Sequence, residues 1–149
     1  MNWKIAGLLM GAAGAVYLLS RSKRNKMKLS PNFSVWEFAS KDGAAFPLDV
    51  LKNLQKLAQN LEVIRAEVNR PILITSGYRS LAHNAKVGGA KNSLHTLGKA
   101  ADFKVQGISP IELGSIIEQL IAAGKIEQGG LGIYPTWVHY DNRGTKARW

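Results

Sequence analysis

Leu51, Leu54, Leu57, Ala58, Leu61, Ile64 and Val68 recur at three- and four-residue steps. Such spacing lines one side of an α-helix, so a long helix opened by Pro47 is predicted, with a single stripe turned to a core. Asn69-Arg70-Pro71 ends it, because proline disfavours helical geometry at the residue before it. The short, apolar, β-rich run 71–76 that follows predicts a buried strand. Another strand is expected at Ala100–Val105, and a hairpin whose arms, Leu131–Tyr134 and Trp137–Asp141, flank Pro135-Thr136. Two further helix starts carry their own signals. Ser34 and Glu37 have capping-box spacing ahead of a short helix. Ser109, Pro110 and Glu112 supply cap, first-turn proline and box glutamate, with Ile111, Ile116, Leu120 and Ile121 as the apolar side and Gly124 at the stop. Residues 81–92 lack periodicity and read as a helical turn and loop. The expected class is α+β: a small antiparallel sheet with helices packed on one side, preceded by an N-terminal membrane helix.

That membrane helix rests on Ile5 to Leu19, an uncharged run bounded by Lys4 and Arg21. A bilayer span takes about 20 apolar residues, with roughly 17 as the lower end, so residues 3–20 only just qualify. A signal peptide, a short anchor and a buried helix are the competing readings. Small residues fall inside the run rather than after it, which fits signal cleavage poorly. The basic cluster behind it favours a membrane surface over a protein core. Residues 1–20 are therefore read as an anchor, 21–28 as a basic linker and 29–149 as one compact domain. Gly7 and Gly11 would let two such helices pair closely.

Charge narrows the partners. Of 20 basic residues, six lie in 1–28 without a single acid, which leaves fourteen basic against ten acidic in the remainder. No aromatic residue is interleaved with the basic run, so nucleic acid is not an expected partner. The chain has no cysteine, which excludes disulfides and thiolate zinc sites.

His95 and Asp102 stand seven apart, with Gly98 and small residues between them. On the second hairpin arm His139 and Asp141 alternate, so they share a face with Trp137 and Arg143. Either pair alone reads as ordinary structural residues. Together, two imidazoles and a carboxylate are the usual donors for a catalytic zinc with an open fourth position.

Three blocks occur in order: Thr75-Ser76-Gly77-Tyr78-Arg79-Ser80; Ser93, His95, Gly98, Ala100 and Asp102; and Trp137-Val138-His139 with Asp141. They resemble the signature blocks of the zinc D-alanyl-D-alanine carboxypeptidase family, whose fold is shared with hedgehog signalling domains. Residues 29–34 and Arg148-Trp149 also resemble phage and bacterial members, so the similarity covers 29–149. The resemblance implies Zn2+ held by His95, Asp102 and His139, with water in the fourth position. It places Arg79 at the active site, where its fork suits an oxyanion or a substrate carboxylate. Ser76 and Tyr78 are expected to line the substrate pocket, and Ser93 and His83 to orient ligands.

One departure matters. Many relatives carry an acidic general base three residues before the last zinc histidine, where this chain has Thr136. Asp141 is the carboxylate expected to move the proton instead, with pairing to Arg143 as its structural alternative. The leading expectation is a zinc peptidase anchored in a bacterial inner membrane or a phage virion membrane, cleaving D-amino-acid-containing stem peptides of bacterial peptidoglycan as carboxypeptidase or endopeptidase, with phage lysis or entry as its setting. The alternative is a non-catalytic module of the same fold, anchored in the membrane and used for binding or virion assembly. Basic residues after the apolar run would retain the domain in the cytoplasm, in tension with a wall substrate.

Overall fold

The computed structural model describes residues 27–149 and the backbone of Ala15–Val16. The latter pair is a two-residue strand (β1) that lies antiparallel to Phe46–Pro47 (β2). Backbone there is extended, not helical. The rest of the expected membrane helix, its Gly7/Gly11 face and the linker up to residue 26 lie outside the described residues. Among the described residues, no helix is long and apolar enough to cross a membrane.

After β2 the long helix α1 runs Leu48–Val68, with Pro47 before it and Asn69 in the left-handed conformation (φ 49°) at its end. Leu54, Leu57, Ala58, Leu61 and Ile64 of the expected stripe are buried, and Leu51 and Val68 pack at its margin. Glu62, on another side of α1, accepts bonds from Ser30 Oγ and from the backbone and side chain of Asn32. Those bonds tie segment 29–34 to the helix. Val35–Phe38 then forms one 3-10 turn, shorter than a helix but started as expected by Glu37, which accepts from the Ser34 backbone N–H at 2.7 Å.

Five strands make the main sheet: β3 (Ile72–Ser76), β4 (Ala100–Val105), β5 (Gly130–Ile133), β6 (Val138–Asp141) and β7 (Ala147–Arg148). Their spatial order is β3-β4-β6-β5-β7. The sheet is mixed rather than antiparallel, because β7 runs parallel to β5. The chain reverses after β6 through Gly144 (φ 87°) and settles beyond β5 instead of beside β6, and that placement makes the pair parallel. Between β3 and β5 lie the short helix α2 (Leu81–Lys86), a 3-10 turn (Leu94–Leu97) and α3 (Pro110–Ala122).

One sheet face carries Ala101, Phe103, Val105, Leu131, Val138 and Tyr140 into a core shared with α1 and α3. Helix α3 starts as expected, the Ser109 hydroxyl accepting from Glu112 N–H. It buries Leu113, Ile117, Leu120 and Ile121, a set at i, i+4, i+7 and i+8. Ile111 lies off that stripe and is 75 % exposed, against the expectation that it would face the core.

The opposite sheet face holds the chemistry. Ser76, Asp102, His139 and Gly132 stand in one lateral row across four strands. Ser76 reaches that row only because β3 carries a bulge: Ile74 opposes Phe103, and Ser76, two residues on, opposes Asp102, one residue back. In an unbroken ladder Ser76 would oppose Ala101 and turn toward the core.

Candidate metal centre

Three donor atoms converge at the floor of a cleft of about 590 Å³. His95, Asp102 and His139 each offer one ligand atom, and these lie within 4.8 Å of one another. His95 arrives on the 3-10 turn Leu94–Leu97, which Gly98 closes at φ 68°. Asp102 stands mid-strand on β4 and His139 beside it on β6, so sheet register fixes two of the three donors. His95 Nε2 is 3.2 Å and His139 Nδ1 2.9 Å from Asp102 Oδ1, and the two nitrogens are 3.3 Å apart.

The tautomers follow from the partners behind each ring. His95 Nδ1 lies 2.7 Å from the Gly77 carbonyl oxygen, which only accepts, so Nδ1 carries the proton and Nε2 turns a lone pair inward. His139 Nε2 lies 2.9 Å from Asp141 Oδ2, so Nε2–H donates there and Nδ1 turns its lone pair inward. Arg79 Nη2 donates to Asp102 Oδ2 at 2.9 Å, leaving Oδ1 for the imidazoles. Three acceptors thus face one another at bonding distance. They repel unless a proton or a metal cation sits among them, and a set of two imidazoles and one carboxylate suits zinc.

The electrostatics agree. Burial works against ionising Asp102, but a proton on the facing nitrogen of His139 or His95 would bond to it, which outweighs burial and holds the carboxyl well below the usual range. Burial works against charging His139, yet the bonds to Asp102 and Asp141 prevail and raise its pKa. The pocket floor favours positive charge.

The supporting groups are locked in their turn. Gly77 packs its backbone against Phe38, where an added Cβ would fall 2.5 Å from Phe38 Cα, so a side chain there would displace the carbonyl that aims His95. Arg79 donates through Nε to Ser76 Oγ at 3.1 Å and through its backbone N–H to the His95 carbonyl. Asp141 is fully buried. Its oxygens accept from His139, from Gly130 N–H and from Arg143 Nε and Nη2 at 2.8 and 2.7 Å. Gly130 is the reason it fits, since a Cβ on that residue would lie 2.3 Å from Asp141 Oδ2.

The sequence expectations divide here. His95, Asp102 and His139 are brought together, with Arg79 and Ser76 beside them. Asp141 sits behind His139, away from the cleft, and every oxygen is engaged, which suits orienting the ring rather than moving a substrate proton. Tyr78, expected in the substrate pocket, is instead packed against Phe46 (centroids 5.6 Å apart) in the core. Its neighbour Arg79 takes the cleft side of the turn. Ser93 lines the cleft, whereas His83, on α2, is not one of its lining residues. Tyr134, Arg143 and Trp149 also line the cleft. The alternation Gly130-Leu131-Gly132 signalled that something lies flat on β5, but not which side chain.

Comparison with known proteins agrees with this geometry. The chain is 36% identical over 96 residues to the probable peptidoglycan L,D-endopeptidase MepK of Haemophilus influenzae, covering 60% of this chain and 48% of that protein. It is 38% identical over 87 residues to the peptidoglycan L,D-endopeptidase MepK of Escherichia coli K12, covering 54% of this chain and 44% of that protein. The chain thus spans about half the length of the curated relatives it matches. The Peptidase M15 profile matches residues 31–141, which takes in all three donors, and the chain belongs to that family of zinc D-alanyl-D-alanine carboxypeptidase-like peptidases.

Proposed function

We propose that this chain is a zinc-dependent endopeptidase that cuts an internal amide in the peptide part of bacterial peptidoglycan. The observation that carries the reading is the convergence of His95 Nε2, Asp102 Oδ1 and His139 Nδ1 at the cleft floor, each with its lone pair turned inward by a partner behind it. The names of the relatives supply the substrate class. When bound there, zinc supplies Lewis acidity that polarises a carbonyl and brings the pKa of water down to about 7.

The protein's own groups do the rest. Gly77, Arg79 and Asp141 hold the donors in orientation before any substrate arrives. A guanidinium has five N–H donors, and Arg79 commits Nε to Ser76 and one Nη2 hydrogen to Asp102. The remainder can bond the scissile carbonyl oxygen as it gains charge. Among the described residues, the two guanidiniums that line the cleft, Arg79 and Arg143, are already paired with carboxylates. Neither is a free cation for a terminal carboxylate, which favours an internal bond over carboxypeptidase trimming.

A second reading has one observation in its favour: among the described cleft-lining residues, Asp102 is the sole carboxylate. A domain without a separate proton acceptor would bind stem peptides and leave them whole. Digestion of purified peptidoglycan decides between the two. Zinc-loaded full-length chain should release new peptide termini, and His95→Ala should not. A zinc-loaded chain that leaves peptidoglycan uncut would establish the binding reading.

For attachment, we propose that the basic run 21–28 meets anionic head groups, with the uncharged residues ahead of Ala15–Val16, a pair that is held on β2, touching the same membrane surface. The support is the uncharged run and the charge cluster behind it. Co-sedimentation with anionic vesicles should be lost on deleting residues 1–28, and retention after deletion would refute it.

A further inference from the structure

Among the described residues that line the cleft, Trp149 is the largest apolar side chain left exposed, with 51 % of its surface accessible. An exposed indole is ordinarily mobile, but this one is held on several sides. Its backbone bonds to β5 in both directions, Trp149 N–H to the Leu131 carbonyl and Ile133 N–H to the Trp149 carbonyl. Its Nε1–H donates to Tyr134 Oη at 2.8 Å, and the Tyr134 ring is stacked on Trp137 at 4.8 Å and 10°. Beneath it Gly132 presents bare backbone, since a Cβ there would lie 2.4 Å from the indole nitrogen. The Arg143 guanidinium, itself clamped by Asp141, lies 5.7 Å from the ring centre. The ring centre is also 5.1 Å from that of His139.

A rigid aromatic surface at the lip of a cleft binds with little loss of freedom, which is the property of aromatic anchors at recognition sites. Its chemistry is narrow. The one polar atom is spent on Tyr134, and the π-face is electron-rich, so it repels carboxylates. Arg143 already occupies the cation's place. What remains is apolar contact. We propose that the exposed face of the Trp149 indole is the subsite for the uncharged aliphatic stretch of the substrate peptide flanking the scissile amide on the His139 side. This rests on the reading of the chain as a peptidase of peptidoglycan peptides, and it adds the residue that grips the substrate next to the reacting bond.

The test uses the full chain with zinc and a cross-linked muropeptide purified from peptidoglycan. Trp149→Ala should raise KM roughly tenfold while kcat stays within about threefold and zinc content is unchanged, and Trp149→Phe should recover most of the loss. Muropeptide should also quench indole emission in the wild type and leave it unchanged in Trp149→Phe, which reads the contact without catalysis. Hydrolysis by the wild type with an unaltered KM in Trp149→Ala overturns the subsite alone. So does a fall in zinc content, which would make Trp149 a prop for His139. A wild type that neither cuts nor binds the muropeptide overturns the peptidase reading together with the subsite, whereas quenching without cutting keeps the subsite and removes only the hydrolysis.

Discussion

Asp141 Oδ2 lies 2.9 Å from His139 Nε2, on the side of the ring opposite the other two donors. Arg143 grips both oxygens of the same carboxylate, so the imidazole is aimed by a partner that cannot turn. Asp141→Ala should therefore weaken zinc binding about 10- to 100-fold. Titration against a competing chelator measures it. An unchanged affinity would show that sheet register alone aims His139.

Gly130→Ala reaches the same carboxylate from below. Its new Cβ would sit 2.3 Å from Asp141 Oδ2 and 3.0 Å from Arg143 Nη2. The expected cost is about 1–3 kcal/mol of stability together with weaker zinc binding. Chemical denaturation reports the first and the chelator assay the second. Gly132→Ala strikes the Trp149 ring instead, so it should spare zinc binding and raise KM.

Metal removal should be visible in stability. With three inward lone pairs 2.9–3.3 Å apart, the metal-free site repels itself. Zinc at one hundred times its Kd should stabilise the fold by about 2.7 kcal/mol, seen as a higher Tm lost on adding chelator. The same Tm with and without metal would argue against a preformed zinc site.

The acid side of the stability profile should depend on Asp42. Hydrogen bonds from Ser80 and Ser40 hold its carboxyl at about 2, below its ordinary 3.8. A depressed folded-state pKa stabilises the fold above the ordinary value and ceases to do so as pH falls through the folded one. Wild type should thus exceed Asp42→Asn in stability at neutral pH, with the gap closing between about pH 4 and pH 2. Urea midpoints across that window check it, and a pH-independent gap would contradict it.

In the core, Ile117→Ala should cost about 2–5 kcal/mol, since Ile117 is fully buried. Ile111→Ala should cost little, because its side chain projects into solvent. Paired thermal melts would separate the two positions.

Where local pattern dominates, the chain could be read directly. Helix α1 and strand β4 fall where their periodicity and composition place them, and the helix starts at Ser34 and Ser109 keep their signals. The three donors were legible as a constellation because two sit on strands whose alternation orients them. Other features depend on non-local geometry. Two residues of β7 carry no pattern that announces a parallel pairing with β5. Ile111 satisfied apolar composition but not the face that α3 finally buries. Tyr78 and Arg79 are adjacent, and which of them reaches the cleft is settled by contacts distant in sequence: Tyr78 N–H bonds to the Phe38 carbonyl and its ring packs on Phe46. The contact of Trp149 with Gly132 joins a side chain to the bare backbone of a distant strand, and the glycine alternation in β5 marks the space without naming the ring that fills it.

Glycines 130 and 132 leave β5 with no side chain on the chemical side of the sheet, while Leu131 between them fills the core. The hollow over the donors is made by subtraction, two missing substituents giving neighbours room to lie flat. Enlarging either position would shallow the hollow from underneath without touching a ligand atom. Tolerance to change at these two sites is therefore a matter of sterics, and a library varying them should lose function long before it exhausts polarity or charge.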